Sequence, residues 1–167
     1  MSARAAWRLE SLGFAEVYRY TAGKADWLAF GLPGEGHDAA TPRAGQIARR
    51  DVPTCALRKR LGDVRERIRA AGWDECLVVN GQQVVLGRLR GTALEAAADT
   101  IAEDVMESGP TTIRPDEPLM TLGPRLRDKH VDRIIVTTPD GRLLGVAERR
   151  TAERALAERA GEEHDHE

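Results

Sequence analysis

Apolar positions along the chain fall into two periods, and the pattern they make occurs twice. Leu61, Val64, Ile68 and Ala71 stand at i, i+3, i+7 and i+10, one face of a helix that Gly72 should end. Before it, residues 53–56 read as a short strand. After it, residues 76–79 and 84–89 read as two strands joined at Asn80-Gly81, a pair suited to the positive φ angles of a tight hairpin. A second helix over about 92–98 closes the unit. An offset of 58 residues, Gly87 to Gly145, then carries the pattern forward without a gap: Leu61 falls on Leu119, Val64 on Leu122, Ile68 on Leu126, Asp74 on Asp132 and Thr54 on Thr112. In the second copy residues 111–113 open as a strand, and Asp116 is placed to cap a helix with Pro118 in its first turn and Leu119, Leu122 and Leu126 facing inwards. Residues 134–136 and 142–147 form its hairpin through Pro139-Asp140-Gly141, and 151–160 its last helix. Short helices precede the copies at 44–49 and 101–106. Each unit alone buries too little apolar surface to stand by itself, so the two should pack on each other.

The N-terminal region reads as a helix over 3–12 stopped by Gly13, a strand over 14–20, and one or two helical turns over 26–33 broken by Gly31 and Pro33. Residues 34–46 read as a linker, with His37 a loop histidine of no assigned role. Leu12-Gly13-Phe14 followed by Val17-Tyr18, Gly23, Trp27 and Gly31-Leu32-Pro33 resembles the last third of a rhodanese-like sulfurtransferase domain, over about residues 2–34. Such a domain attacks sulfur with a low-pKa cysteine placed just before a helix like 2–12. The chain begins at that helix, so the resemblance implies a structural remnant rather than a sulfurtransferase; a misassigned start is the other explanation.

Composition narrows the function. With 41% hydrophobic and 31% charged residues and a formal charge of −2, the chain is expected to be one globular protein of two subdomains, with nucleic acid not its principal partner. Charge is uneven: residues 43–69 hold nine Lys/Arg against three acids, which reads as a solvated basic face or as a place for phosphates. Apolar runs fall far short of the roughly 18 residues of a membrane span, and no signal-peptide core stands at the start, so a cytoplasmic protein without a membrane partner is expected. Cys55 and Cys76 lie in strand-like apolar segments and read as small buried hydrophobes. No Ser/His/Asp set, framed carboxylate pair or Gly-rich phosphate loop is evident, so the protein is expected not to be an enzyme. His164, Asp165 and His166 in an acidic tail read as adventitious metal ligands, and no metal site is assigned.

The order strand, helix, strand, strand, helix, together with Ala102-Glu103-Asp104-Val105-Met106, Thr111-Thr112-Ile113, Pro115-Asp116-Glu117-Pro118-Leu119 and Asp140-Gly141-Arg142-Leu143-Leu144-Gly145, resembles a tandem pair of CBS (cystathionine β-synthase-like) domains over about residues 44–158. The resemblance implies an α+β fold of two β-α-β-β-α repeats with pseudo-two-fold symmetry, two clefts between them, and commonly a disc-shaped homodimer. The chain then divides into residues 1–36 (rhodanese-like remnant), 37–46 (linker), 47–98 (first repeat), 99–160 (second repeat) and 161–167 (acidic tail). It also implies adenosyl ligands such as AMP, ATP or S-adenosylmethionine in the clefts, with no cofactor required and an unidentified protein partner regulated by the ligand. The family's ribose-binding Gly-x-x-Ser/Thr-x-x-Asp pattern is degraded: Arg90 and Ala93 replace its polar pair in one copy, Glu148 and Thr151 in the other. Arg90 remains suited to a phosphate and Glu148 to a ribose hydroxyl. Thr54 and Thr112 hold the strand-one position that lines the adenine cleft in the family, and Arg133 a position facing phosphates, with Glu75 its counterpart. Thr54, Arg90, Thr112, Arg133, Glu148 and Thr151 are therefore the expected nucleotide contacts. Trp73, aligned with Val131, reads as core, and His130 as an edge residue. A ligand-free structural or dimerisation module is the alternative.

Overall fold

The 58-residue offset governs the backbone as it governs the sequence. The computed structural model describes residues 3–18, 23, 27, 32–34 and 41–164. Its elements are α1 (Ala3–Ser11), α2 (Ala44–Ile47), β1 (Thr54–Cys55), α3 (Leu61–Ala71), β2 (Glu75–Val79), β3 (Val85–Arg90), a 3-10 turn (Gly91–Glu95), α4 (Ala102–Val105), β4 (Glu107–Ser108), β5 (Thr112–Ile113), α5 (Leu119–Asp128), β6 (Arg133–Thr137), β7 (Leu143–Glu148) and α6 (Arg149–His164). The fold is α+β. One sheet has the order β1-β2-β3-β4 and the other β5-β6-β7. In each, the opening strand runs parallel to the next, with Thr54 opposite Leu77 and Thr112 opposite Ile135, and an antiparallel hairpin follows with a bulge at the same place in both copies.

Periodicity explains what is buried. Leu61, Val64 and Ile68 on α3 and Leu119, Leu122 and Leu126 on α5 are all in the core, as one stripe per helix requires. Trp73 and both cysteines are buried too, and the cysteines are free thiols. Cys55 and Cys76 share a hydrogen bond, which lowers the Cys55 thiol pKa and, with burial, raises that of Cys76 far above the ordinary range.

The repeats exchange their leading segments. Arg43 bridges to Pro118 and Ile101 to Arg60, and the Ala44 and Ala102 amides donate to the Glu117 and Lys59 carbonyls at 2.9 Å each. Ala102 accordingly packs in the core of the first repeat and Ala44 in that of the second. Arg49 exchanges two 2.9 Å backbone hydrogen bonds with Val146 on β7, the counterpart of the β3–β4 pairing of Arg88 with Glu107. Glycine is needed where these crossing segments touch the sheets. A Cβ at Gly87 would strike the Met106 side chain, and one at Gly145 the Arg49 carbonyl. At the pseudo-two-fold axis the hairpins meet end to end, the Val85 amide donating to Gly141 at 3.0 Å and the Leu143 amide to Gln83 at 2.9 Å.

Several expectations are corrected. The first repeat closes with the 3-10 turn Gly91–Glu95 in place of a helix over 92–98, because the Ala98 and Thr100 carbonyls accept from Gly62 and Leu61 and draw the chain out straight towards Ile101. Its counterpart, α6, carries no such tether and runs to His164. In the first hairpin the positive φ falls at Gln83 (+63°) rather than at Asn80-Gly81, the position Gly141 (+83°) fills in the second. The Asn80 side chain instead accepts from the Gln82 and Val84 amides at 3.0 and 2.9 Å. Asp116 caps nothing: α5 has no side-chain cap, and the Asp116 carbonyl accepts from the Arg43 guanidinium at 2.7 Å. Residues 14–18 form no strand, leaving Phe14 and Tyr18 exposed after Gly13 stops α1. The rest of that strand, most of the turns at 26–33, His37, the side chain of His164, Asp165 and His166 lie outside the described residues. Among the described residues no helix is long and apolar enough to cross a membrane.

Candidate functional site

A cavity of about 1230 Å³ opens between the two repeats. One wall is the end of β3 with the 3-10 turn behind it, bringing Arg88, Arg90 and Gly91; the other is β5 and the start of β6, bringing Thr111, Thr112 and Arg133. Parallel pairing of β5 with β6 sets Thr112 beside this wall, half-buried, with Ile113 turned into the core. Of the residues expected from sequence, Arg90, Thr112 and Arg133 therefore line one cavity. Thr54, Glu148 and Thr151 do not line it. Thr54 lies on β1 with its carbonyl accepting from Arg67 at 2.6 Å, and Thr151 is half-buried on α6. Glu148 ends β7, 3.4 Å from Arg49 and 3.5 Å from Arg133.

Four of the cavity's cations, Arg88, Arg90, Arg125 and Arg133, are already paired with carboxylates. Arg88 Nε donates at 2.5 Å to Glu75, which is only 2% exposed, so this is a buried charge-assisted pair. Arg90 pairs with Glu107 at 3.1 Å and Arg125 with Glu117 at 2.7 Å. Arg133 contacts Asp74, lies 3.6 Å from Glu75, and places its guanidinium over the Trp73 ring at 5.3 Å. Burial works against its charge, but Asp74, Glu75 and Glu148 together hold its pKa above the ordinary guanidinium value. Asp74 is correspondingly held below the usual carboxylate range by the hydrogen bond from Arg133.

Sequence reasoning missed Glu75, Arg88 and Arg114 as wall residues. The hairpin register, which sets Glu75 opposite Arg90 and Leu77 opposite Arg88, was a usable signal for the first two. Arg114 had none, since its guanidinium donates to the Thr137 hydroxyl at 2.8 Å and the Thr138 carbonyl at 2.5 Å, partners supplied by a neighbouring strand.

Across the pseudo-two-fold axis the charges are reversed. Glu75 corresponds to Arg133, Arg90 to Glu148 and Glu107 to Arg49. The Arg90–Glu107 pair thus recurs as Glu148–Arg49 with signs exchanged. Positions related by the offset thus share a backbone and differ in chemistry. Among the described residues no group of three or more His, Cys, Asp or Glu is placed to hold a metal ion.

Residues 102–158 match the CBS domain family. No curated protein matches the sequence. Among solved structures, the cytosolic domain of the Mg2+ channel MgtE in complex with ATP is similar with a TM-score of 0.62 at 18% identity, over 70% of this chain and 50% of that one. CBSX2 in complex with AMP gives 0.61 at 18% identity, over 70% and 96%. A CBS domain pair in complex with 5'-methylthioadenosine and S-adenosyl-L-methionine gives 0.59 at 13% identity, over 71% and 98%. This chain spans about half the length of the magnesium-transporter chains it matches, 48% and 50%. At these identities the likeness is one of fold, and the fold is that of a CBS-domain pair.

Proposed function

We propose, from a CBS-pair fold with an open cleft between its repeats, that this chain is a regulatory module that binds an adenosyl nucleotide of the AMP, ATP or S-adenosylmethionine class. The observation that carries the reading is the cavity itself: about 1230 Å³, walled by Thr112 on the opening strand of one repeat and Arg90 at the last strand of the other. That volume is ample for a nucleotide. In this reading the hydroxyls of Thr111 and Thr112 serve the base or ribose, and Arg90 and Arg133 serve a phosphate by exchanging a carboxylate partner for it. Thr54, Glu148 and Thr151 belong to the other cleft. Structures of the fold solved with ATP, with AMP and with S-adenosyl-L-methionine support the ligand class.

Binding of this kind needs no catalytic group, cofactor or metal; its output is the way the module docks on a protein partner. We read the protein as a cytoplasmic homodimer, without nucleic acid or membrane as partner, and residues 1–36 as a rhodanese-like remnant outside the nucleotide site. The test is a thermal-shift panel of AMP, ADP, ATP, S-adenosylmethionine and NADH, followed by calorimetry. A ligand at about 100 times its dissociation constant adds roughly 2.7 kcal/mol, a rise of roughly 5 to 10 °C for a chain of this size. No shift at millimolar concentration refutes the reading.

One observation favours a second reading, a ligand-free dimerisation module. Arg88, Arg90 and Arg133 all hold carboxylates already, so a phosphate bound by Arg90 or Arg133 must displace Glu107 or Asp74. Sedimentation that gives a stable dimer, with an unmoved melting temperature across the panel, selects this reading.

A further inference from the structure

The two clefts share one backbone but are filled differently. At the position of Val131 beside the open cavity the other repeat has Trp73; at that of Gly91 it has Arg149, and at that of Glu107 it has Arg49. These three exchanges put a larger side chain on the counterpart cleft, although Arg114, Lys129 and His130 of the open cavity have Ala56, Ala71 and Gly72 as counterparts there. Trp73 is buried, with the Arg49 guanidinium over its ring at 4.3 Å and that of Arg133 at 5.3 Å. Cations over an indole are attracted by the negative face of the ring, the face a ligand base would stack on. Arg49 and Arg133 are in turn tied to Glu148 at 3.4 and 3.5 Å, and Arg149 to Asp132 at 2.7 Å.

Thr54 is engaged as well. The Arg67 guanidinium donates to its carbonyl at 2.6 Å, whereas the counterpart Arg125, in the wall of the open cavity, pairs with Glu117 and not with the Thr112 backbone. Aromatic ring, guanidinium groups and carboxylate thus stand where base, cation and hydroxyl contacts of a ligand would be made. From this we infer that the Thr54 cleft is closed by the chain's own Arg49, Trp73, Arg133 and Glu148, and that each protomer takes one ligand, in the Thr112 cleft alone.

This inference rests on the nucleotide reading above, and calorimetry on the full chain separates the two. With AMP and with S-adenosylmethionine as probes, the parent protein should bind one equivalent per chain. Trp73→Val, which installs the residue of the open cleft, should raise this to two. Because Trp73 is in the core, a second variant, Arg49→Ala/Arg67→Ala, changes only exposed side chains and should also admit a second equivalent. Two equivalents on the parent, or one on both variants, overturns the inference and leaves the nucleotide reading standing. An absence of heat with both probes and all three proteins overturns both.

Discussion

Replacing Gly145 by alanine tests the exchange of leading segments. The new Cβ would run into the Arg49 carbonyl oxygen, with the Arg49 carbonyl carbon at 3.0 Å and Ala48 Cβ at 3.2 Å. Two backbones meet here, and neither has a rotamer to yield. Restoring ordinary contact requires strand and segment to part by about 1 Å, which breaks the two reciprocal Arg49–Val146 hydrogen bonds. Two such bonds are worth about 2 kcal/mol net, and overpacking adds about 1 to 3 kcal/mol. The expected loss is therefore about 3 to 5 kcal/mol, or roughly 10 °C in melting temperature. Gly87→Ala is the internal control. Its Cβ meets the Met106 thioether, a flexible side chain that can swing aside, so about 1 kcal/mol should be lost. Thermal and urea unfolding followed by far-UV circular dichroism measure both variants. Equal losses, or a larger one at Gly87, would refute the account of the crossing.

Arg88→Met should destabilise by about 3 kcal/mol, because it takes from the buried Glu75 carboxylate its hydrogen-bonded partner and leaves only Arg133 at 3.6 Å; adding Glu75→Leu should recover most of the loss in urea unfolding, and a cost below about 1 kcal/mol for the single variant would show the pair to be unimportant. Asp74 predicts a pH effect. Arg133 lowers its pKa in the folded state, so its contribution to stability is complete above the unfolded carboxylate value and is lost as pH falls through about 4 towards the folded value. The melting temperature of Asp74→Asn should accordingly change less between pH 5 and pH 3 than that of the parent; parallel profiles would contradict the assignment.

The stripe Leu61, Val64, Ile68 and its copy Leu119, Leu122, Leu126 were legible in the sequence because a helix buries residues three and four apart, whatever surrounds it. The hairpins were legible for a like reason, and the 58-residue offset then implied two equal units packed together. These features depend on neighbours within a few positions, and duplication lets one copy check the other. The short turn at Gly91–Glu95 was not legible, since alanine-rich residues 92–98 favour a helix and only the tether to Gly62 and Leu61 forbids one. Asp116 failed as a cap because the helix begins at Leu119 with Pro118 at the N-cap, so the Asp116 carboxylate stands two residues too early. Thr112, Arg90 and Arg133 could be named from sequence, but not the fact that they share a cavity from which Thr54, Glu148 and Thr151 are absent. The charge lining between the repeats depends on ion pairs such as Arg133–Asp74 and Arg49–Glu148, whose partners stand 59 and 99 positions apart. Local period and propensity determine the elements; only the packing of one repeat on the other brings those distant charges together, and with them forms the cavity between the repeats.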